Sequence, residues 1–192
     1  MKNLLAMTGS ILIFLTSACT LLGGREDIVR EEELKSPNQT HEVELKQFGA
    51  VRGLAQSVWL NTEFPLQISD LKGKVVLIEF WTFGCANCQR MIPWLRDWVE
   101  RYGEDGLVVI GYHYPEFAYE KDYDHLKDAL EHLQVPYPVL QDNEGANWRA
   151  DNVHTWPTLI LVDKKGQIRF EQIGEVNYGE IEEAIQILLS EK

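Results

Sequence analysis

From about residue 51 onward, apolar positions fall into short blocks separated by turn-forming residues. Val75-Val76-Leu77-Ile78-Glu79-Phe80-Trp81 is nearly continuous in apolar side chains and follows the turn-like Asp70-Leu71-Lys72-Gly73-Lys74. A strand buried on both faces has this form. Ile92, Leu95, Trp98, Val99 and Tyr102 share one face of a helix, and Gly103 and Gly106 bracket its end. Residues 107–112 repeat the buried-strand pattern, and Tyr123, Leu126, Leu130 and Leu133 mark a second helix that stops before Pro136. A short strand over 137–140 and a short helix over 145–151 follow. Residues 158–162 and 167–173 flank the turn Asp163-Lys164-Lys165-Gly166, which predicts a hairpin. Ile181, Ala184, Ile185, Leu188 and Leu189 make an amphipathic closing helix. The order of elements predicts a one-sheet α/β domain with a mixed sheet and no internal repeat.

Ahead of that domain the pattern changes twice. Met1-Lys2-Asn3 is short and weakly basic, residues 4–15 are mostly apolar, and Thr16-Ser17-Ala18 places small residues before Cys19. This reads as an export signal. The cysteine suggests a lipoprotein leader with Cys19 as the lipidated first residue, although Thr16 stands where leucine is usual. The alternatives are an uncleaved helical anchor over residues 4–22, close to the ~20 residues that span a bilayer, or a released protein. Each places the folded part outside the cytoplasm. Residues 25–46 are polar, include Glu31-Glu32-Glu33 and lack apolar periodicity, the signature of a solvated tether. The expected organisation is a leader or anchor over 1–24, an acidic linker over 25–50 and a folded domain over 51–192.

Charge and cysteine count narrow the function. A formal net charge of −12 repels phosphate backbones and disfavours nucleic acid as a partner. With Cys19 assigned to the leader, only Cys85 and Cys88 remain of the three cysteines, so no long-range disulfide can form within the mature chain. An exported domain whose free pair is Cys-x-x-Cys points to redox chemistry or a metal. A structural zinc site needs further Cys or His ligands, and no second pair is present.

The dithiol follows a buried strand and opens a helix. Unpaired N–H groups and the positive end of the helix dipole there favour thiolate over thiol. Cys85 is therefore expected as the exposed nucleophile, and Cys88, one turn in, as the buried resolving thiol. Glu79 interrupts the apolar strand; a buried carboxylate is costly and tends to keep its proton, so it could take the proton of Cys88. A sheet-edge place or a structural hydrogen-bond network is the alternative. Trp156-Pro157-Thr158 puts a proline at the entry of a strand, where a cis bond or an ordinary trans turn would both fit.

Phe80-Trp81-Thr82-Phe83-Gly84-Cys85-Ala86-Asn87-Cys88, with Pro93 and the later Trp156-Pro157-Thr158, resembles the thioredoxin superfamily. More narrowly the chain is similar to the TlpA/ResA branch of membrane-anchored thiol-disulfide oxidoreductases. The stretch from Val109 to Ala118, with Gly174-Glu175, resembles the DipZ-like subgroup. The resemblance covers residues 59–189. It implies an α/β thioredoxin fold, a mixed central sheet flanked by helices, with a helix-plus-strand insertion before the Pro157 loop and an N-terminal extension. It implies Cys85 as nucleophile, Cys88 as resolving thiol, Pro157 as a cis proline and Glu79 as the buried acid. Gly84 departs from the bulky residue usual in that family, which suggests a looser surface beside Cys85. His113, at the end of a core strand, with Phe83 and Trp156, could line a groove for a substrate or tune the thiolate; loop packing is the alternative.

These readings lead to a thiol-disulfide reductase of exported proteins, anchored to the membrane, with no cofactor beyond the Cys85–Cys88 pair. A membrane electron donor would regenerate the dithiol, since no nicotinamide or flavin motif is present. By the resemblance, apocytochrome c is a candidate substrate. Without a histidine between the cysteines, the expected potential lies between roughly −270 and −120 mV. The rivals are an oxidase or isomerase, a peroxidase suggested by the Thr82/Cys85 spacing, and a copper-binding module using the two thiols and His113.

Overall fold

The computed structural model describes residues 43–50, 52 and 58–192. The expected leader, Cys19 and the linker up to residue 42 lie outside the described residues. In chain order the elements are β1 (Gly49–Ala50), β2 (Val58–Leu60), β3 (Val75–Trp81), α1 (Ala86–Tyr102), β4 (Leu107–His113) and α2 (Tyr123–His132), then β5 (Val139–Gln141), α3 (Ala146–Ala150), β6 (Thr158–Val162), β7 (Gln167–Ile173) and α4 (Tyr178–Ser190). A 3-10 turn, Ala118–Lys121, precedes α2. Among the described residues no helix is long and apolar enough to cross a membrane.

The strands form one sheet in the order β1-β7-β6-β3-β4-β5-β2. β3, β4 and β5 run parallel, and the remaining pairs are antiparallel. Parallel neighbours need a crossover, which α1 supplies between β3 and β4. The β6–β7 pair is the hairpin expected from its turn: the Asp163 carboxylate accepts N–H bonds from Lys165 and Gln167 at 2.9 Å each, and Gly166 takes a φ of +82°.

β3 lies at the centre, between β4 and β6, and all of its residues are buried. Its side chains alternate between two cores. Val75, Leu77 and Trp81 pack with α1, α2 and α4, while Val76, Ile78 and Phe80 pack with Tyr112, Ile160 and Trp148 of α3. Glu79 falls on the first of these faces, toward α1. The side of the sheet that covers the dithiol helix thus receives a carboxylate in the middle of an apolar layer.

The upstream boundary differs from the expected one. Residues 46–50 do not belong to a solvated linker: Lys46 N–H bonds to Arg169 O at 2.9 Å, Phe48 N–H to Ile168 O at 3.0 Å, and Gly49 and Ala50 pair with β7. The unpaired edge of β7 offers backbone groups to any nearby extended segment. Val43 and Leu45 alternate with Glu44 and Lys46, so one side of the segment is apolar, and both pack against the core.

Candidate active site

β3 ends at Trp81, and the chain turns through Thr82, Phe83 and Gly84 to deliver Cys85 to the start of α1. Cys85 N–H bonds to Thr82 O at 3.2 Å, and Cys85 O accepts from Gln89 N–H at 3.0 Å. Cys85 is the N-cap residue of α1, and its Sγ accepts the N–H of Cys88 at 3.4 Å. A sulfur in that place meets the unsatisfied donors of the first turn, which favour negative charge. Both cysteines are free thiols; Cys85 is half-buried and Cys88 fully buried.

Below them lies Glu79, wholly buried, its carboxyl pushed up to about 8 by desolvation. Tyr137 Oη donates to Glu79 Oε2 at 3.1 Å and partly offsets that rise. Glu79 Oε1 is buried without a hydrogen-bond partner. Burial pushes the Cys88 thiol far above its ordinary range, and the negative charge of Glu79 pushes it further. Each of these groups resists ionisation next to the other, and of the two the carboxyl is the easier to ionise. A carboxyl that titrates near neutral pH is suited to receive the thiol's proton when Cys88 must attack.

The Trp156–Pro157 bond is cis. Pro157 is buried, and its carbonyl accepts the Gly174 N–H at 2.8 Å. Trp156 stacks on Tyr114 with ring centroids 5.8 Å apart, and both Trp156 and Cys85 border the core beneath α1.

The aromatic residues expected at a substrate groove separate into surface and interior. Phe83 is half-buried, whereas His113 is fully buried beneath it, the two rings stacked at 5.3 Å. His113 Nε2 lies 3.3 Å from Thr82 Oγ1, and burial lowers the ring's titration to about 4, so it is neutral at pH 7. The register Trp81↔His113 explains this placement: His113 ends β4 level with the end of β3, inside the sheet. It does not line an open groove, and as the third ligand of a copper site it would have to leave this stack.

Gly84 does not open the surface either. A Cβ built on Gly84 would sit 2.1 Å from Glu120 Oε1 and 3.0 Å from Tyr119 Oη. The space of the missing side chain is filled by the turn that follows β4.

Two residues of the site were not evident from sequence. Tyr137 reads as the first residue of the short strand expected over 137–140, whereas that strand begins at Val139, and nothing local betrays its hydroxyl's partner. Glu120 reads as one more surface acid: its carboxylate accepts the Phe117 N–H, but phenylalanine has no side-chain acceptor to complete a capping box, so no local signal marks it. Arg90 on α1 adds a surface link: it bonds to Glu175 Oε2 at 2.8 Å and to the side chain of Asn87 between the cysteines.

A dithiol at the start of a crossover helix, set on a mixed sheet with a helix and strand between β4 and Pro157, defines a thioredoxin-like protein of the TlpA/ResA kind. The sequence pattern of the AhpC/TSA family matches residues 55–171, and the chain belongs to that family. It is 39% identical over 135 residues to Protein DipZ of Mycobacterium bovis, covering 69% of this chain and 19% of that protein. The chain therefore spans about a fifth of the length of that relative. The thiol-disulfide oxidoreductase ResA of Bacillus thuringiensis is 28% identical over 121 residues, covering 63% of this chain and 67% of that one. The crystal structure of a thioredoxin-like superfamily protein superposes with a TM-score of 0.70 at 27% identity, over 75% of this chain and 98% of that one.

Proposed function

We propose that the protein reduces disulfides of other proteins outside the cytoplasm. The Cys85 thiolate attacks a substrate disulfide, forming a mixed disulfide and releasing one substrate sulfur, which takes up a proton. The ionised form of Glu79 then takes the proton of Cys88, and Cys88 attacks Cys85 Sγ. The second substrate sulfur leaves, and two electrons have passed to the substrate while Cys85 and Cys88 become a disulfide. The observation that supports this reading is the pairing of a half-buried Cys85 at the cap of α1 with a fully buried Cys88 on the carboxylate side of the sheet. The cysteine pair is itself the redox group, so no bound cofactor is needed.

Further parts of the reading rest on sequence and resemblance. Cys19 carries a lipid, or residues 4–22 an anchor, that holds the domain at the membrane; a membrane electron donor returns the dithiol to its reduced form. Apocytochrome c is the substrate class that the TlpA/ResA resemblance suggests. The name of the ResA relative supports the general chemistry and not this substrate.

The test is capture in cells. Cys88→Ser should accumulate mixed disulfides with exported proteins through Cys85, and Cys85→Ser should not. Equal, empty captures from both variants would refute the exchange reading. A reduction potential near the strongly oxidising end would keep the chemistry but reverse the direction. Mass spectrometry of the mature N-terminus distinguishes lipidated Cys19 from a retained helix.

A further inference from the structure

Glu120 is wholly buried in the turn after β4 and touches Gly84, the residue before Cys85. Its Oε1 accepts the Gly84 N–H at 3.0 Å, and its Oε2 accepts the N–H groups of Glu116 at 2.6 Å and Phe117 at 3.0 Å. Three backbone donors thus converge on one carboxylate, the partners that compensate a buried negative charge. The side chain stands where any Cβ at position 84 would have to go, so glycine at 84 and glutamate at 120 form one fitted pair.

We propose that Glu120 is a positioning residue of the dithiol: it clamps Gly84, the residue before Cys85, to the turn after β4, and its carboxylate on that backbone N–H keeps the pair on the reducing side. The proposal rests on Cys85 being the attacking sulfur.

The direction follows from charge. A carboxylate near a thiolate disfavours it, and a couple whose reduced, thiolate form is disfavoured gives up its electrons more readily. The other charged or titratable groups around the dithiol do not do the same thing. Arg90 on α1 is a cation interacting with Cys85 and acts in the opposite sense, its charge offset in part by the carboxylate of Glu175 paired with it. His113 on β4 is neutral at pH 7, and Glu79 on β3 faces Cys88. Tyr119, whose hydroxyl also borders Gly84, has its ionisation pushed up, first by burial and then by Glu120, and stays neutral. Glu120 is therefore the negative charge on the Gly84 side of the sulfur.

Glu120→Gln removes the charge and keeps an acceptor oxygen. Gly84→Ala leaves the charge and drives the carboxylate off the loop. Each variant is made in the full chain, with circular dichroism and thermal melting to establish the fold. The thiolate of Cys85 is followed by its ultraviolet absorbance and by its alkylation rate against pH in the Cys88→Ser background. The equilibrium with glutathione is measured with both cysteines present. In Glu120→Gln the thiolate should appear at lower pH, alkylation at pH 6 should rise about threefold or more, the gain of half a pKa unit, and the glutathione equilibrium should move toward the dithiol. Gly84→Ala should shift in the same direction. A purely structural role predicts altered melting with an unchanged pH profile, which overturns the proposal; so does loss of the fold in both variants. Absence of any disulfide turnover in the unmodified protein would instead remove the reductase reading and leave the thiolate measurements intact.

Discussion

Tyr137 Oη donates a 3.1 Å hydrogen bond to Glu79 Oε2, and the other oxygen of that carboxyl is buried without a partner. The tyrosine comes from the loop between α2 and β5, so the insertion that distinguishes this fold reaches under the dithiol and fixes the acid from below. One oxygen is committed to the tyrosine, and the other is the acceptor that the proposed proton transfer from Cys88 would use. Removing the hydroxyl should raise the Glu79 titration above about 8, because the bond is what offsets desolvation. Tyr137→Phe should therefore displace to higher pH the rise in the rate at which Cys88 resolves a mixed disulfide. Stopped-flow fluorescence on a preformed mixed disulfide measures it. The fold should weaken by about 1–3 kcal/mol, the usual result of leaving a buried acceptor unpaired.

Glu79→Gln removes the proton acceptor while keeping the shape. In the proposed exchange the first attack uses Cys85 and does not need Glu79, so its rate should be unchanged. Resolution should slow by about 10²–10⁴-fold, the range for loss of a general base. The variant would then accumulate mixed disulfides even though Cys88 is present. Quenched-flow separation of the two steps checks this, and equal slowing of both would remove Glu79 from the proton transfer.

Much of the fold was legible because its elements are stated locally. The seven-residue apolar run Val75–Trp81 is β3 to the residue, since a strand covered on both faces needs no polar alternation. The hairpin was legible because Asp163 and Gly166 each serve a specific backbone need of its turn. The edge contributed by residues 46–50 was not, because a strand of two residues among charged neighbours has no period to detect; its partner, β7, lies over a hundred residues away. At the candidate site the sequence pointed to the groups proposed to react but not to the ones that hold them. Cys85, Cys88 and Glu79 stand out as chemical anomalies in their segments. Tyr137 and Glu120 reach the site through partners 58 and 36 positions away, and His113, read as a groove residue or a tuner of the thiolate, is placed inside by the register of β3 with β4.

Trp94 is exposed on α1 and stacks on Tyr178 of α4, ring centroids 4.6 Å apart. The contact joins the dithiol helix, six residues past Cys88, to the closing helix. Trp94→Ala should weaken the fold by about 1 kcal/mol, in keeping with an aromatic pair of limited burial. Disulfide exchange should proceed at the unmodified rate, measured by insulin turnover below the melting temperature. A large loss of turnover would place Trp94 on the substrate surface.

Two buried groups give the stability of the protein opposing responses to pH. His113 titrates at about 4 in the fold, below its ordinary value of 6.5, so the unfolded chain binds the extra proton. Its contribution is complete above pH 6.5 and is lost as pH falls toward 4. Glu79 titrates at about 8, above its ordinary 4.5, so here the folded chain binds the extra proton. Its contribution is complete below pH 4.5 and is lost as pH rises through 8. Between 4.5 and 6.5 the two slopes have opposite sign and offset each other, so the unmodified protein should show little net change from this pair. The single variants uncover each slope. His113→Gln leaves the fall above pH 4.5, and Glu79→Gln leaves the rise up to pH 6.5. At about 1.4 kcal/mol per pKa unit, the uncovered changes should be of order 2–3 kcal/mol across that window. Urea unfolding at closely spaced pH values measures them. Parallel curves for the unmodified protein and both variants would mean that neither side chain keeps its altered proton affinity in the fold.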